Sequence, residues 1–88
     1  MVWKIEYADA ARRQLKKLNP SQAKQIIDYM DHRVAVAKDP RQSGHGLIGN
    51  RAGYWRYRVA DMRIICEIRD DRFIILVVKI GNRRDVYK

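Results

Sequence analysis

The residues best equipped for chemistry in this sequence are arginines. In the run Tyr54-Trp55-Arg56-Tyr57-Arg58-Val59, strand alternation puts Trp55, Tyr57 and Val59 on one face and Arg56 and Arg58, with Tyr54, on the other. A two-residue turn at Ala60-Asp61 would pair Val59 with Met62 and set Arg58 opposite Arg63, and like charges so placed cost up to about 1 kcal/mol. A sheet does not choose that pair for stability. Three guanidiniums on one solvent-facing, concave surface suit a phosphate, which accepts their planar donors in pairs. The alternative is that Arg56, Arg58 and Arg63 lie as solvated side chains along an exposed face, with Glu67 as a partner. Arg83 and Arg84, arriving from the end of the last strand, favour the anion site. Tyr87 either packs back over the sheet or offers its ring to a nucleobase, a contact of about 1–3 kcal/mol.

Other chemistries find little support. His32, on the outer side of a helix, and His45, in a glycine-rich loop, have no carboxylate or nucleophile nearby in sequence, and both read as surface residues. No phosphate-binding loop, dinucleotide fingerprint, nucleophile elbow or paired-carboxylate motif is present. No cofactor is called for. The single cysteine, Cys66, has no internal disulfide partner, and no Cys/His cluster has zinc spacing, so it reads as a core thiol in a reducing compartment. Nineteen Lys and Arg against ten Asp and Glu give a formal net charge of +9, a field that draws polyanions through counterion release. No run of about 18 apolar residues occurs, and the N-terminal MVWKIEYADA lacks the layout of a signal peptide. The expectation is a soluble, cytoplasmic protein with no membrane contact.

The elements that must hold these arginines follow from periodicity. Eighty-eight residues, 47% hydrophobic and 33% charged, suit a single domain over residues 1–88. Val2 to Tyr7 alternates so that Trp3, Ile5 and Tyr7 share a strand face. Asp9 then caps a helix with Ala11, Leu15 and Leu18 inside and Arg12, Arg13, Lys16 and Lys17 outside. Asn19 caps a second helix, with Pro20 at its first position and an apolar stripe of Ala23, Ile26, Ile27, Met30, Val34 and Ala37, ending near Lys38 before Pro40. Four glycines between Asp39 and Gly53 predict an irregular loop anchored by Leu47-Ile48. Strands at Tyr54 to Val59, Met62 to Arg69 and Arg72 to Ile80 follow, with turns at Ala60-Asp61 and Asp70-Asp71. The run FIILVVKI is apolar on both faces, which predicts a central, doubly covered strand. Gly81-Asn82 ends it, leaving a short polar tail. The fold class is α+β: an N-terminal strand and a two-helix hairpin packed on an antiparallel sheet, with a three-strand C-terminal meander.

With these parts in order, the chain resembles the RelE/ParE toxins. The resemblance rests on the strand, the helical hairpin ending in Asp39-Pro40, the run from Gly53 to Arg63 and the ending Gly81-Asn82-Arg83-Arg84-Asp85-Val86-Tyr87, and it covers nearly the whole chain. It implies the toxin of a type II toxin–antitoxin pair, and in RelE-type members an endoribonuclease that cleaves messenger RNA in the ribosomal A site. There the RNA's own 2′-hydroxyl attacks the phosphate without a metal. By the same resemblance Arg63 stabilises the phosphorane, Arg83 steadies or protonates the leaving oxygen, Arg56 and Arg58 position the backbone and activate the 2′-hydroxyl, and Tyr87 holds the neighbouring base. Relatives often carry lysine at the positions of Arg56 and Arg58, glycine at Ala60, tyrosine at Met62 and histidine at Asn82. Some have a C-terminal helix, expected to be missing in a chain ending at Lys88. A ParE-like, non-enzymatic inhibitor of DNA gyrase is the alternative. The resemblance also implies an acidic antitoxin as partner, docking in an apolar groove between helices and sheet edge within a hetero-oligomer.

Overall fold

The computed structural model describes residues 2–86, the side chain of Asp85 excepted. Strand β1 (Lys4–Tyr7) leads into helix α1 (Asp9–Lys17) and helix α2 (Pro20–Tyr29). Asn19 caps α2 as the sequence predicts, its side chain accepting from the Gln22 amide at 2.8 Å. The α1 cap is one residue earlier than predicted: Ala8 holds the cap position without a side-chain bond, and Asp9 stands in the first turn, where its charge faces the positive end of the helix.

The second helix does not run on as a regular α-helix. Met30–Val34 is a π-helical turn, closed by the Ala35 amide donating to the Met30 carbonyl at 2.8 Å. That wider turn inserts a residue, so Val34 and Ala35 are both buried while Ala37 is only half-buried; Ile27, before the turn, is exposed.

The loop predicted to be irregular is partly structured. Pro40–Gln42 and Gly49–Arg51 are short 3-10 turns, and β2 (His45–Gly46) pairs antiparallel with β3 (Trp55–Val59). Only half of its predicted anchor holds, since Leu47 is half-buried and Ile48 is 89% exposed. Trp55, half-buried, donates its indole N–H to the Ser43 carbonyl, and the buried Tyr57 hydroxyl donates to the Pro40 carbonyl.

Strands β4 (Met62–Arg69) and β5 (Ile74–Asn82) complete the sheet, in the order β1-β5-β4-β3-β2. The sheet is mixed rather than antiparallel, because β1 pairs parallel with β5. The helices between β1 and the meander supply the crossover that a parallel pair needs. β5 therefore lies second from one edge, with β4 in the middle. Its turn from β4 is longer than predicted: Asp70 to Phe73 lie outside both strands, Phe73 at φ +53 and 43% exposed. The strand also runs through Gly81 to Asn82 instead of stopping before them.

A bulge explains the apolar run. Ile65 pairs with Lys79 but Cys66 pairs with Val77, so Val78 is an extra residue on β5. Strict alternation from Ile75 and Val77 would point Lys79 into the core; the bulge gives that place to Ile80. The core against the helices gathers Ala11, Ile26, Met30, Tyr57, Ile64, Cys66, Ile75 and Val77, and each Ile or Val so buried contributes about 1.5–3 kcal/mol. Beyond Tyr7 the free edge of β5 is met by α1, where Gln14 Oε1 accepts from the Ile80 amide at 2.6 Å. The last four described residues, Arg83–Val86, form a helical turn, α3, where the sequence predicts a polar tail. Val86 buries itself to 2% exposure on the sheet face away from the other helices.

Candidate functional site

The sheet has one face under α1 and α2 and one that carries the cations. On β3, Tyr57 enters the core and Arg56 and Arg58 point the other way. The two-residue hairpin forms in the predicted register, Val59 opposite Met62 and Arg58 opposite Arg63. Ala60 at its tip takes φ +54, a left-handed conformation that favours glycine. On its other side Arg63 faces Gly81 of β5, which brings no side chain. The chain then leaves β5 through Asn82 into α3, bringing Arg83 and Arg84 to the same place.

The result is an open hollow of about 390 Å³ lined by Arg58, Asp61, Arg63, Asn82, Arg83 and Arg84. Arg58, Arg83 and Arg84 are exposed, whereas Arg63 is the floor at 9% exposure, which corrects its expected place on a solvent-facing surface. Its Nη1 atom is sealed from solvent with no hydrogen-bond partner among the described residues. A buried donor left so costs about 1–3 kcal/mol, and a cation directly across the ladder adds to that cost. Arg63 nonetheless lines the hollow, so the rest of its guanidinium is held in place there for an anion.

Arg58, Arg63 and Arg83 thus come together as the sequence predicts. Arg56 shares their face but lies outside the hollow, two residues along β3, roughly 7 Å from Arg58. It stands between Ile65 and His45 across the ladder. Tyr87 lies outside the described residues. Glu67 pairs with Arg69, at 2.9 Å, not with the arginines of the hollow.

Sequence reasoning missed two side chains of this surface. Lys79 was hidden in the apolar run; its signal is a charge at core parity, which only a bulge can turn outward. With Arg51 it joins Tyr54, Ile65, Val78 and Val86 around a second hollow of about 250 Å³ on the same face. Asp61 read only as a turn residue, yet it lines the arginine hollow.

Elsewhere, burial pushes the Cys66 thiol well up, so it stays protonated and is no nucleophile. Burial, with Asp31 and Cys66 nearby, pushes Tyr7 up to about 12. Among the described residues no group of three or more His, Cys, Asp and Glu side chains gathers as a metal site. No described helix is long and apolar enough to cross a membrane.

The family model of the ParE toxin of type II toxin–antitoxin systems, parDE, matches residues 5–87. No curated protein is matched by the sequence at a significant level. Among solved structures, the RelBE2 toxin–antitoxin complex of Mycobacterium tuberculosis is similar at TM-score 0.86 and 21% identity, over 97% of this chain and 95% of that one. A free, doubly arginine-to-alanine mutant of Escherichia coli toxin RelE follows at TM-score 0.79 and 18% identity, covering 99% and 92%. Escherichia coli YafQ is similar at 0.64 and 15%, covering 98% and 99%. At these identities the likeness is one of fold.

Proposed function

This chain belongs to the ParE toxin family of type II toxin–antitoxin systems, within the RelE/ParE superfamily, and we propose that it is an endoribonuclease. Its substrate is messenger RNA in the ribosomal A site, in the cytoplasm, and the chemistry is attack of the RNA's 2′-hydroxyl on the adjacent phosphate without a metal. The observation that carries this reading is Arg63, buried with an unpartnered Nη1 directly across the ladder from Arg58. A guanidinium held that way gains nothing until an anion enters, and gains most when charge grows on that anion.

The roles follow from position. The scissile phosphate lies on Arg63, whose donors meet the phosphorane oxygens. Arg83, at the mouth of the hollow, steadies the leaving 5′-oxygen. Arg58 holds the phosphate from β3, and Arg56, further along that strand, takes the neighbouring phosphate. Tyr87 stacks the adjoining base. Catalysis is by orientation and charge and leaves a cyclic phosphate and a 5′-hydroxyl. The natural partner is an acidic antitoxin in a hetero-oligomer; the Mycobacterium tuberculosis structure of similar fold is itself a toxin–antitoxin complex.

Primer extension on messenger RNA after brief induction tests the reading, with cuts inside codons of translated transcripts as the expected result. Arg63→Ala and Arg83→Ala should each lower cleavage about 100- to 1000-fold. Tyr87→Ala should cost less, roughly five- to 150-fold, as a lost stacking contact of ~1–3 kcal/mol. The family match itself favours a second reading, a non-enzymatic inhibitor of DNA gyrase. Uncut transcripts, with replication arrested and both arginine variants still toxic, would put that reading in place of the first.

A further inference from the structure

We propose that Asp61 is the catalytic residue that accepts the 2′-hydroxyl proton; the proposal rests on the ribonuclease reading and supplies the base that reading lacks. Four of the six side chains lining the hollow are arginines, which stay charged and cannot take a proton. Asn82 is a neutral amide and no base. Asp61 is the one ionisable acceptor among the described lining residues.

Histidine, the usual base, is badly placed. His45 is on the cationic face, but it stands opposite Arg56 on β2. Two strands across and two residues along, it is roughly 12 Å from Arg63. His32 belongs to the π-helical turn after α2, on the helix side of the sheet.

The hairpin fixes Asp61 beside the phosphate site. The residue stands in the turn just before β4, at the end of the sheet, where it lines the arginine hollow together with Arg58 and Arg63. Asp61 also lines the adjoining hollow toward α1, with Gln14, Lys17 and Gln22. The charged groups around it are therefore Arg58 on β3, Arg63 on β4, Arg83 and Arg84 on α3, and Lys17 on α1. For binding an RNA phosphate alone, a carboxylate here is a liability, because it repels the ligand. A base is what it can be.

The step balances. The 2′-oxygen–hydrogen bond breaks, its proton passing to an Asp61 carboxylate oxygen and its electron pair forming the 2′-oxygen–phosphorus bond. The phosphorus–5′-oxygen bond breaks with its pair on the 5′-oxygen, which takes a proton from water while Asp61 returns its own to solvent.

The test is single-turnover cleavage of messenger RNA on programmed ribosomes by wild type, Asp61→Asn and Asp61→Glu. Asparagine suits the turn as well as aspartate does, so it removes charge and leaves the hairpin. The saturating rate of Asp61→Asn should fall about 100- to 10,000-fold, the range a general base contributes. Its half-saturating concentration should stay level or drop, since a repulsive charge has gone, and the acid limb of the rate–pH profile should vanish. Asp61→Glu should keep that limb and recover part of the rate. An Asp61→Asn rate within about tenfold of wild type, an unchanged acid limb, or a loss expressed wholly as weaker binding overturns the assignment while leaving the ribonuclease reading standing. Wild-type protein that leaves the messenger uncut overturns both.

Discussion

Replacing Arg63 by methionine should make the protein more stable and at the same time abolish its function. The reasoning begins from two unfavourable terms at this position. Arg63 is 9% exposed with Nη1 lacking a hydrogen-bond partner among the described residues, and an unsatisfied buried donor costs about 1–3 kcal/mol. Arg58 lies directly across the ladder, and a like-charge pair there costs up to about 1 kcal/mol. Methionine keeps the unbranched stem and its packing while removing the charge and the donors. The expected gain is therefore about 1–4 kcal/mol, and each kcal/mol raises the midpoint of a domain this size by about 4–8 °C.

Thermal and urea unfolding of wild type, Arg63→Met and Arg63→Lys measure this without any RNA. Lysine retains a buried cation and should bring no gain. Inorganic phosphate should stabilise wild type by RT ln(1 + [L]/Kd) and the methionine variant less, since a ligand that binds the folded state alone shifts the midpoint and Arg58, Arg83 and Arg84 remain in the hollow. If Arg63→Met unfolds at a lower temperature than wild type, Arg63 serves the fold, and its burial no longer argues for an anion site.

Three further outcomes follow from local geometry. Ala60→Gly should raise the melting temperature by several degrees, because Ala60 sits at φ +54, where a Cβ costs about 1 kcal/mol. Cys66 should resist a thiol reagent in the native protein and react at the rate of global unfolding, since burial keeps it both inaccessible and protonated. The Arg41–Asp70 pair, bonded twice at 2.8 and 2.9 Å, holds the Asp70 carboxyl below its ordinary value. Its stabilisation is present above the unfolded carboxylate value of about 3.9 and disappears as pH falls through the folded one. Arg41→Ala should therefore cost at most about 1 kcal/mol near neutrality, the pair being largely exposed, and nothing in strong acid, as read by urea titrations at both pH values.

The local rules of the sequence carried much of the fold. Asn19 caps α2, Pro20 opens it, and the Ala60-Asp61 turn sets the β3–β4 register residue for residue. Each depends on neighbours within a few positions. The failures depend on distant partners or on a single extra residue. Nothing local says whether β1 lies parallel or antiparallel to β5, and the π-helical turn at Met30–Val34 is stabilised by what it packs against, not by its own residue types. The His45–Gly46 strand exists only because β3 offers it an edge. Arg63 is legible in the sequence as a site residue, but its burial is not, because alternation tells which face a side chain takes and not how deeply it is covered there.

The bulge between Ile65 and Cys66 joins fold and site in one device. The core needs Ile75, Val77 and Ile80 on the helix side, a spacing that a regular strand cannot supply. Val78 as an extra residue supplies it, and in doing so turns Lys79 outward and carries Gly81 to the place opposite Arg63. Without the bulge, alternation would send Gly81 to the core and point Ile80 at the cationic face. An isoleucine beside Arg63 would cover the hollow with apolar surface just where a phosphate has to approach. The β3–β4 turn fixes the other side in the same way, since burial of Met62 and Tyr57 leaves Arg58 and Arg63 only one direction to face. The arginines are thus positioned by core residues that never touch an anion, which is why their cost to stability is tolerated: shifting any one of them out of register would expose the core that holds the rest.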